Sequence, residues 1–226
     1  MKKIILVLLI GVLTFSCSSD STSSSSLSNT PEAKAMYDSS NYGIYKGVFV
    51  GSSGSVYINI NNDGTIFATL VIDGTTFNYT TTESATLNSI ISGLTFTNGS
   101  SSFDFNVDAS GNFATITNIT INGHPNANMS VTKEFSDTLV KCYIGSYSGD
   151  DTGVFNLIVS GGEINGLAKS NSGSETIDLE GYETNNVISG AFNGGTFSGN
   201  VNNNSISGSW QNTSSESGNW SGNRKL

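Results

Sequence analysis

Histidine occurs once in this chain of 226 residues, cysteine and proline twice each, and nine lysines and arginines stand against eighteen aspartates and glutamates. These shortages exclude whole classes of chemistry. One histidine, His124, and two cysteines, Cys17 and Cys142, cannot supply the nitrogen and sulfur ligands of a zinc-type centre, so neither a metal of that kind nor a cofactor is expected. A Ser-His-Asp triad would have to be built on His124, but Asn122-Gly123-His124-Pro125-Asn126 reads as a surface turn. The deficit of basic residues makes nucleic acid a poor partner, because phosphate binding needs lysine and arginine. Scarce proline and 10% aromatic residues argue against a disordered chain and for a packed one. Only one long apolar run exists, Ile4 to Phe15, and it is too short for a permanent span of roughly 20 residues.

That run has a role as part of an export signal. Lys2 and Lys3 make a positive start, the apolar core follows, and a small residue precedes Cys17. Leu13-Thr14-Phe15-Ser16-Cys17 resembles the lipobox of bacterial lipoproteins, with Thr14 standing where leucine is usual and Leu13 one place further back. The resemblance implies cleavage after Ser16 and a diacylglyceryl group on Cys17. Residues 1–16 are then the signal peptide, and the protein is expected in the bacterial cell envelope, held to the outer membrane through the lipid on Cys17. Several acyl chains anchor stably where one does not. Residues 17–30 form a serine-rich flexible tether with a reach on the order of 20 Å. With Cys17 lipidated, Cys142 has no disulfide partner, and its neighbours Leu139, Val140, Tyr143 and Ile144 mark it as a small buried hydrophobe.

The remainder alternates between short apolar-polar runs and turn signals. Val56 to Ile60 meets Asn61-Asn62-Asp63-Gly64 and returns through Thr65 to Ile72, ending at Asp73-Gly74. Phe103 to Val107 with Phe113 to Ile121, and Val154 to Val159 with Ile164 to Ala168, repeat the plan. Roughly fourteen to sixteen strands at a spacing near ten residues predict an all-β fold, an antiparallel meander closed into a barrel or stacked as a sandwich. Two short helical turns are expected, one at Ala33 to Tyr37 behind Thr30-Pro31-Glu32 and one within Lys133 to Cys142.

An internal echo divides the body. Gly43-Ile44-Tyr45-Lys46-Gly47 returns 102 residues later as Gly145-Ser146-Tyr147-Ser148-Gly149, each time shortly before a Gly-Val-aromatic strand. Two similar halves follow, residues 31–132 and 133–226. Towards the C-terminus large aromatics alternate with small residues: Ser189-Gly190-Ala191-Phe192, Thr196-Phe197-Ser198-Gly199, Ser207-Gly208-Ser209-Trp210 and Gly218-Asn219-Trp220-Ser221-Gly222. Rings on one strand can cover glycines on the next, as curved or closed sheets require. This run resembles the glycine-punctuated meanders of bacterial lipoprotein β-barrels, including lipocalin-like and transferrin-binding-protein-like domains. The resemblance implies a barrel and brings no functional residue with it. A membrane-embedded barrel is disfavoured, since few strands carry a continuous lipid-facing alternation about ten residues long.

The acidic residues offer two further sites to weigh. Asp150-Asp151 and Asn61-Asn62-Asp63 could offer oxygens to calcium but sit where hairpin turns want Asp, Asn and Gly. Asp104, Glu175, Asp178 and Glu180 could form a glycosidase pair only if the fold sets two of them about 5 to 9.5 Å apart in a cleft. The function expected is a non-enzymatic binding module taking a small apolar molecule, a glycan or an envelope protein, with Tyr45, Tyr147, Trp210 and Trp220 as the candidate binding residues. The alternative is a structural or assembly lipoprotein without a pocket, and a carboxylate-pair hydrolase comes third.

Overall fold

The computed structural model describes residues 27–226; the leader, Cys17 and the tether as far as residue 26 lie outside the described residues. Strands occupy Gly43–Val50 (β1), Ser53–Ile60 (β2), Ile66–Ile72 (β3), Thr75–Thr80 (β4), Ile91–Asn98 (β5), Ser101–Val107 (β6), Thr115–Thr120 (β7) and Asn128–Glu134 (β8). The second set is Lys141–Gly149 (β9), Gly153–Ser160 (β10), Glu163–Ser170 (β11), Thr176–Thr184 (β12), Val187–Phe192 (β13), Gly195–Asn202 (β14), Ser205–Asn212 (β15) and Ser217–Arg224 (β16). The fold is all-β and antiparallel, as expected. Residues that tolerate conformations others avoid make its tight turns: Asp73 and Gly74 both take positive φ, 50° and 82°, which a two-residue hairpin of this hand requires.

The two sets share one topology. In each, strands pair in sequence order and the first strand also pairs with the last, β1 with β8 and β9 with β16. The second set thereby closes into an eight-stranded barrel. The first is the same meander with one rung missing, because β7 and β8 are the two edges of its sheet. It is weak at a second rung too, with β4 and β5 joined at the single pair Thr80 and Thr97. The echoed tyrosines lie on corresponding strands and face the interiors of their lobes, but Tyr45 stands near the start of β1, opposite Ile58, and Tyr147 near the end of β9, opposite Gly153.

What fills the two interiors differs. Eight strands enclose a space that side chains can just fill or that can hold one small ligand. In the first lobe large rings occupy it: Tyr45 lies 4.8 Å from Phe105 between centroids, and Phe103 stands 5.3 Å from both Tyr79 and Phe96. All five are fully or almost fully buried. In the second lobe glycines take many inward positions, and rings lie over them as the aromatic-glycine rhythm predicted. The Trp220 ring spans two adjacent strands, so that a Cβ added at Gly199 or Gly208 would stand 2.5 Å from its Cζ2.

The lobes pack back to back. All eight residues of β1 are buried: Tyr45 and Phe49 face their own core, while outward Val48 joins Val140, Cys142 and Ile158 in a separate apolar cluster. Asn156 on β10 donates through Nδ2 to the carbonyl of Phe49 at 2.5 Å. Beside this cluster Lys46 Nζ lies 2.8 Å from Glu134 Oε2 and 2.9 Å from Glu32 Oε1. Glu134, with no solvent exposure, also accepts from the N–H groups of Glu32 and Val140 at 2.7 and 3.1 Å. One carboxylate thus ties the N-terminal segment, β1 and the linker together.

That arrangement corrects one expectation. The segment from Lys133 to Cys142 is not helical: Lys133 and Glu134 end β8 opposite Tyr45 and Ile44, the chain reverses between Phe135 and Thr138, and β9 begins at Lys141. A helix this short has too few hydrogen bonds to offset its nucleation cost, and the ladder with β1 prevails. The expected division between residues 132 and 133 therefore falls inside β8, and residues 135–140 connect the lobes. The other helical expectation is met by a single 3-10 turn, Ala35–Tyr37, the one helical element among the described residues.

Candidate functional site

The second barrel is open at one end. Its mouth is ringed by the β9–β10, β13–β14 and β15–β16 turns, and inside lies a cavity of about 350 Å³. Phe155, Leu157, Leu179, Phe197 and Trp220 form its buried floor, and the half-buried Tyr147, Ile177, Phe192 and Trp210 form its walls. The rim is polar: Asp151, Asn193, Asn212, Thr213, Ser214 and Glu216. An apolar interior with a few convergent polar groups is the usual make-up of a small-molecule site.

Register explains why these side chains meet. Tyr147 pairs with Trp220 across β9 and β16, and Trp210 pairs with Phe197 across β15 and β14, so inward-facing aromatics from neighbouring strands stand at similar depth. Glycines opposite them leave room for the rings to lie flat on the wall. Trp210 and Tyr147 meet edge to face at 5.9 Å, as Trp220 and Phe155 do at 5.5 Å.

The polar tips of these rings are already engaged. Trp210 Nε1 donates to the Ser148 carbonyl at 3.2 Å and Trp220 Nε1 to that of Ser209 at 3.0 Å. The Tyr147 hydroxyl donates to Asp151 Oδ2 at 3.0 Å, and Ser170 Oγ donates to Asp151 Oδ1 at 2.9 Å. What the rings offer the cavity is therefore π-face and edge. Burial, the hydrogen bond to Asp151 and the charge of Asp151 together push the Tyr147 phenol up to about 12. Burial pushes Asp151 upward, but hydrogen bonds from Ser170, the Thr152 N–H, Tyr147 and Ser172 outweigh it, and the carboxyl titrates below its ordinary value. At neutral pH the mouth holds a neutral phenol beside a carboxylate.

The far end of the barrel is stoppered. Arg224, 5% exposed, points inward from the end of β16; its Nε donates to the Leu226 carbonyl at 2.7 Å, Nη1 to Asn29 Oδ1 at 3.2 Å and Nη2 to the Ser28 carbonyl. Ser28 and Asn29 thus lie at the end opposite the mouth.

Of the four aromatics singled out in the sequence, Tyr147, Trp210 and Trp220 line this cavity. Tyr45 does not: it is fully buried in the other lobe, its hydroxyl given to the Asn41 carbonyl at 2.9 Å, so it has no surface to offer a ligand. Phe155, Phe197 and Phe192 were missed, although counting every second residue along β10, β13 and β14 would have put them on the inner face. Asp151, read as a turn residue, is both turn and rim; nothing local in the sequence marks the second role. His124 lies in its expected turn, its Nδ1 2.8 Å from Ser52 Oγ. Asp178 and Glu180 are exposed on the outward face of β12, and Asp104 is held by Thr95 and Asn118, each at 2.7 Å. Asp63 caps its own turn through Thr65 and Asn59. Among the described residues no cluster of three or more acidic, histidine or cysteine side chains could hold a metal. Compared with models of known families, with characterised proteins and with solved structures, the chain matches none.

Proposed function

We propose that this protein is a lipid-anchored module of the bacterial envelope whose C-terminal barrel binds a small, largely apolar molecule without chemical turnover. The observation that carries the reading is the 350 Å³ cavity, with its aromatic walls, polar rim and open mouth. Two features are consistent with a soluble barrel on a tether. The outward faces of β14 to β16 carry Thr196, Ser198, Asn200, Ser207, Ser209, Gln211, Asn219 and Ser221, all exposed, whereas a lipid-embedded wall needs an apolar band. A tether joined at Ser28, at the end opposite the mouth, would also leave the mouth unobstructed for ligands in aqueous surroundings.

The test for binding is titration of the full chain, carrying Cys17→Ser, with the neutral dye N-phenyl-1-naphthylamine. Saturable one-to-one binding with energy transfer from tryptophan is expected, because both tryptophans of the chain line the cavity. Ile177→Trp, which fills the mouth, should abolish it with the far-ultraviolet circular dichroism unchanged. Dye uptake that ignores this substitution would sink the reading and leave the pocket-free structural role. Anchoring is tested by intact mass of the membrane-extracted protein: a chain starting at residue 17 with added acyl groups is expected, and an unmodified one refutes it.

A further inference from the structure

The cavity has a charge pattern as well as a shape. Among the described residues its only ionisable side chains besides the Tyr147 phenol are Asp151 and Glu216, and no lysine, arginine or histidine lines it. Asp151 stays ionised because four hydrogen bonds stabilise its anion, and it is fixed in place at the foot of the β9–β10 turn. Glu216 is exposed on the β15–β16 turn, also lining the cavity, where Asn212 Nδ2 holds its Oε2 at 2.6 Å. Below these carboxylates the accessible surfaces of Tyr147, Trp210 and Trp220 are ring, because their polar atoms are spent on the protein itself.

Negative π-faces topped by fixed carboxylates attract positive charge, and the floor of Phe155 and Phe197 excludes water from whatever carries it. Building on the pocket reading above, we infer that the ligand is an organic cation, an amine or quaternary ammonium group borne on an apolar or aromatic body. The body lies on the barrel floor, and the cationic group sits at the mouth among Tyr147, Trp210, Asp151 and Glu216. An anionic amphiphile such as a fatty acid meets only repulsion at that rim. A neutral molecule gains the floor but not the rim.

Three probes of one shape and different charge separate these cases: 4-phenylbutylamine, 4-phenylbutanol and 4-phenylbutyrate, each titrated at pH 7 into the full Cys17→Ser chain and followed by tryptophan emission. The amine is expected to bind about tenfold more tightly than the alcohol, with the acid weakest. Asp151→Asn combined with Glu216→Gln should narrow the gap between amine and alcohol by weakening the amine, the aromatic faces keeping the remainder of the preference. If amine and alcohol bind alike in the unmodified chain, or the double substitution leaves the preference undiminished, the cation inference fails and the pocket reading stands. If no probe changes the emission, both fail together.

Discussion

Replacing Lys46 by methionine removes the one cation that, among the described residues, pairs with a carboxylate that has no access to water. Lys46 and Glu134 have side-chain exposures of 2% and 0%, and their charged atoms are 2.8 Å apart. In the variant Glu134 keeps only two backbone N–H donors, from Glu32 and Val140, with the Glu32 side chain as a second negative charge nearby. Breaking a buried pair from one side costs about 3–5 kcal/mol, mostly through the uncompensated charge left behind. For a chain of this size each kcal/mol moves Tm by about 2–4 °C, so Lys46→Met should lower Tm by about 6–20 °C in thermal melts followed by circular dichroism. The double variant Lys46→Met, Glu134→Leu takes away the stranded charge as well and should regain most of the loss, because apolar replacements of a buried pair are often neutral or better. A fall of under about 1 kcal/mol in the single variant, or a double variant no more stable than the single, would refute the idea that charge burial at this junction decides stability.

Other consequences are as concrete. Gly208→Ala drives a methyl group against the Trp220 ring and the neighbouring strand, so a loss of about 1–3 kcal/mol in urea unfolding is expected, together with a shift in tryptophan emission as the ring is displaced. Burial lowers Lys133 to about 8, against the opposing pull of Asp38 and Asp108, while its Nζ donates to the carbonyls of Tyr37 and Ser40. Between that value and the unfolded value of about 10.4 the unfolded chain holds more protons, so stability should rise with pH across this window, and Lys133→Met should flatten the slope. Burial pushes the Cys142 thiol up to about 12 and hides it from solvent; in the Cys17→Ser chain it should resist a disulfide reagent at pH 8 until denaturant is added. Rapid labelling of the native chain would show that the interface between the lobes opens.

Much of the fold could be read from residue order because its causes are local. Alternation in stretches such as Phe103 to Val107 assigns an inner and an outer face, and Asp73-Gly74 accepts a turn that few residue pairs tolerate. The Gly-x-Tyr-x-Gly echo located the two equivalent starting strands, and the aromatic-glycine rhythm foretold rings lying on glycines, as Trp220 does on Gly199 and Gly208. Where local preference was weak the reading failed: Lys133 to Cys142 has a helical spacing of apolar residues, yet Lys133 and Glu134 are held in a ladder opposite Tyr45 and Ile44 of β1, far earlier along the chain.

Only the tertiary structure decided which aromatics serve a cavity and which serve a core. Tyr45 and Tyr147 share the Gly-x-Tyr-x-Gly pattern and face inward from corresponding strands, β1 and β9. The difference comes from distant strands: Phe96, Phe103 and Phe105 fill the space in front of Tyr45, while glycines on β14 to β16 leave it open in front of Tyr147. Closure of the second barrel likewise depends on β9 meeting β16 across the whole lobe, and the burial of both faces of β1 depends on a neighbouring barrel pressed against its outer side. Periodicity along a chain reports which way each side chain points. What it meets there depends on the register and packing of strands remote in sequence.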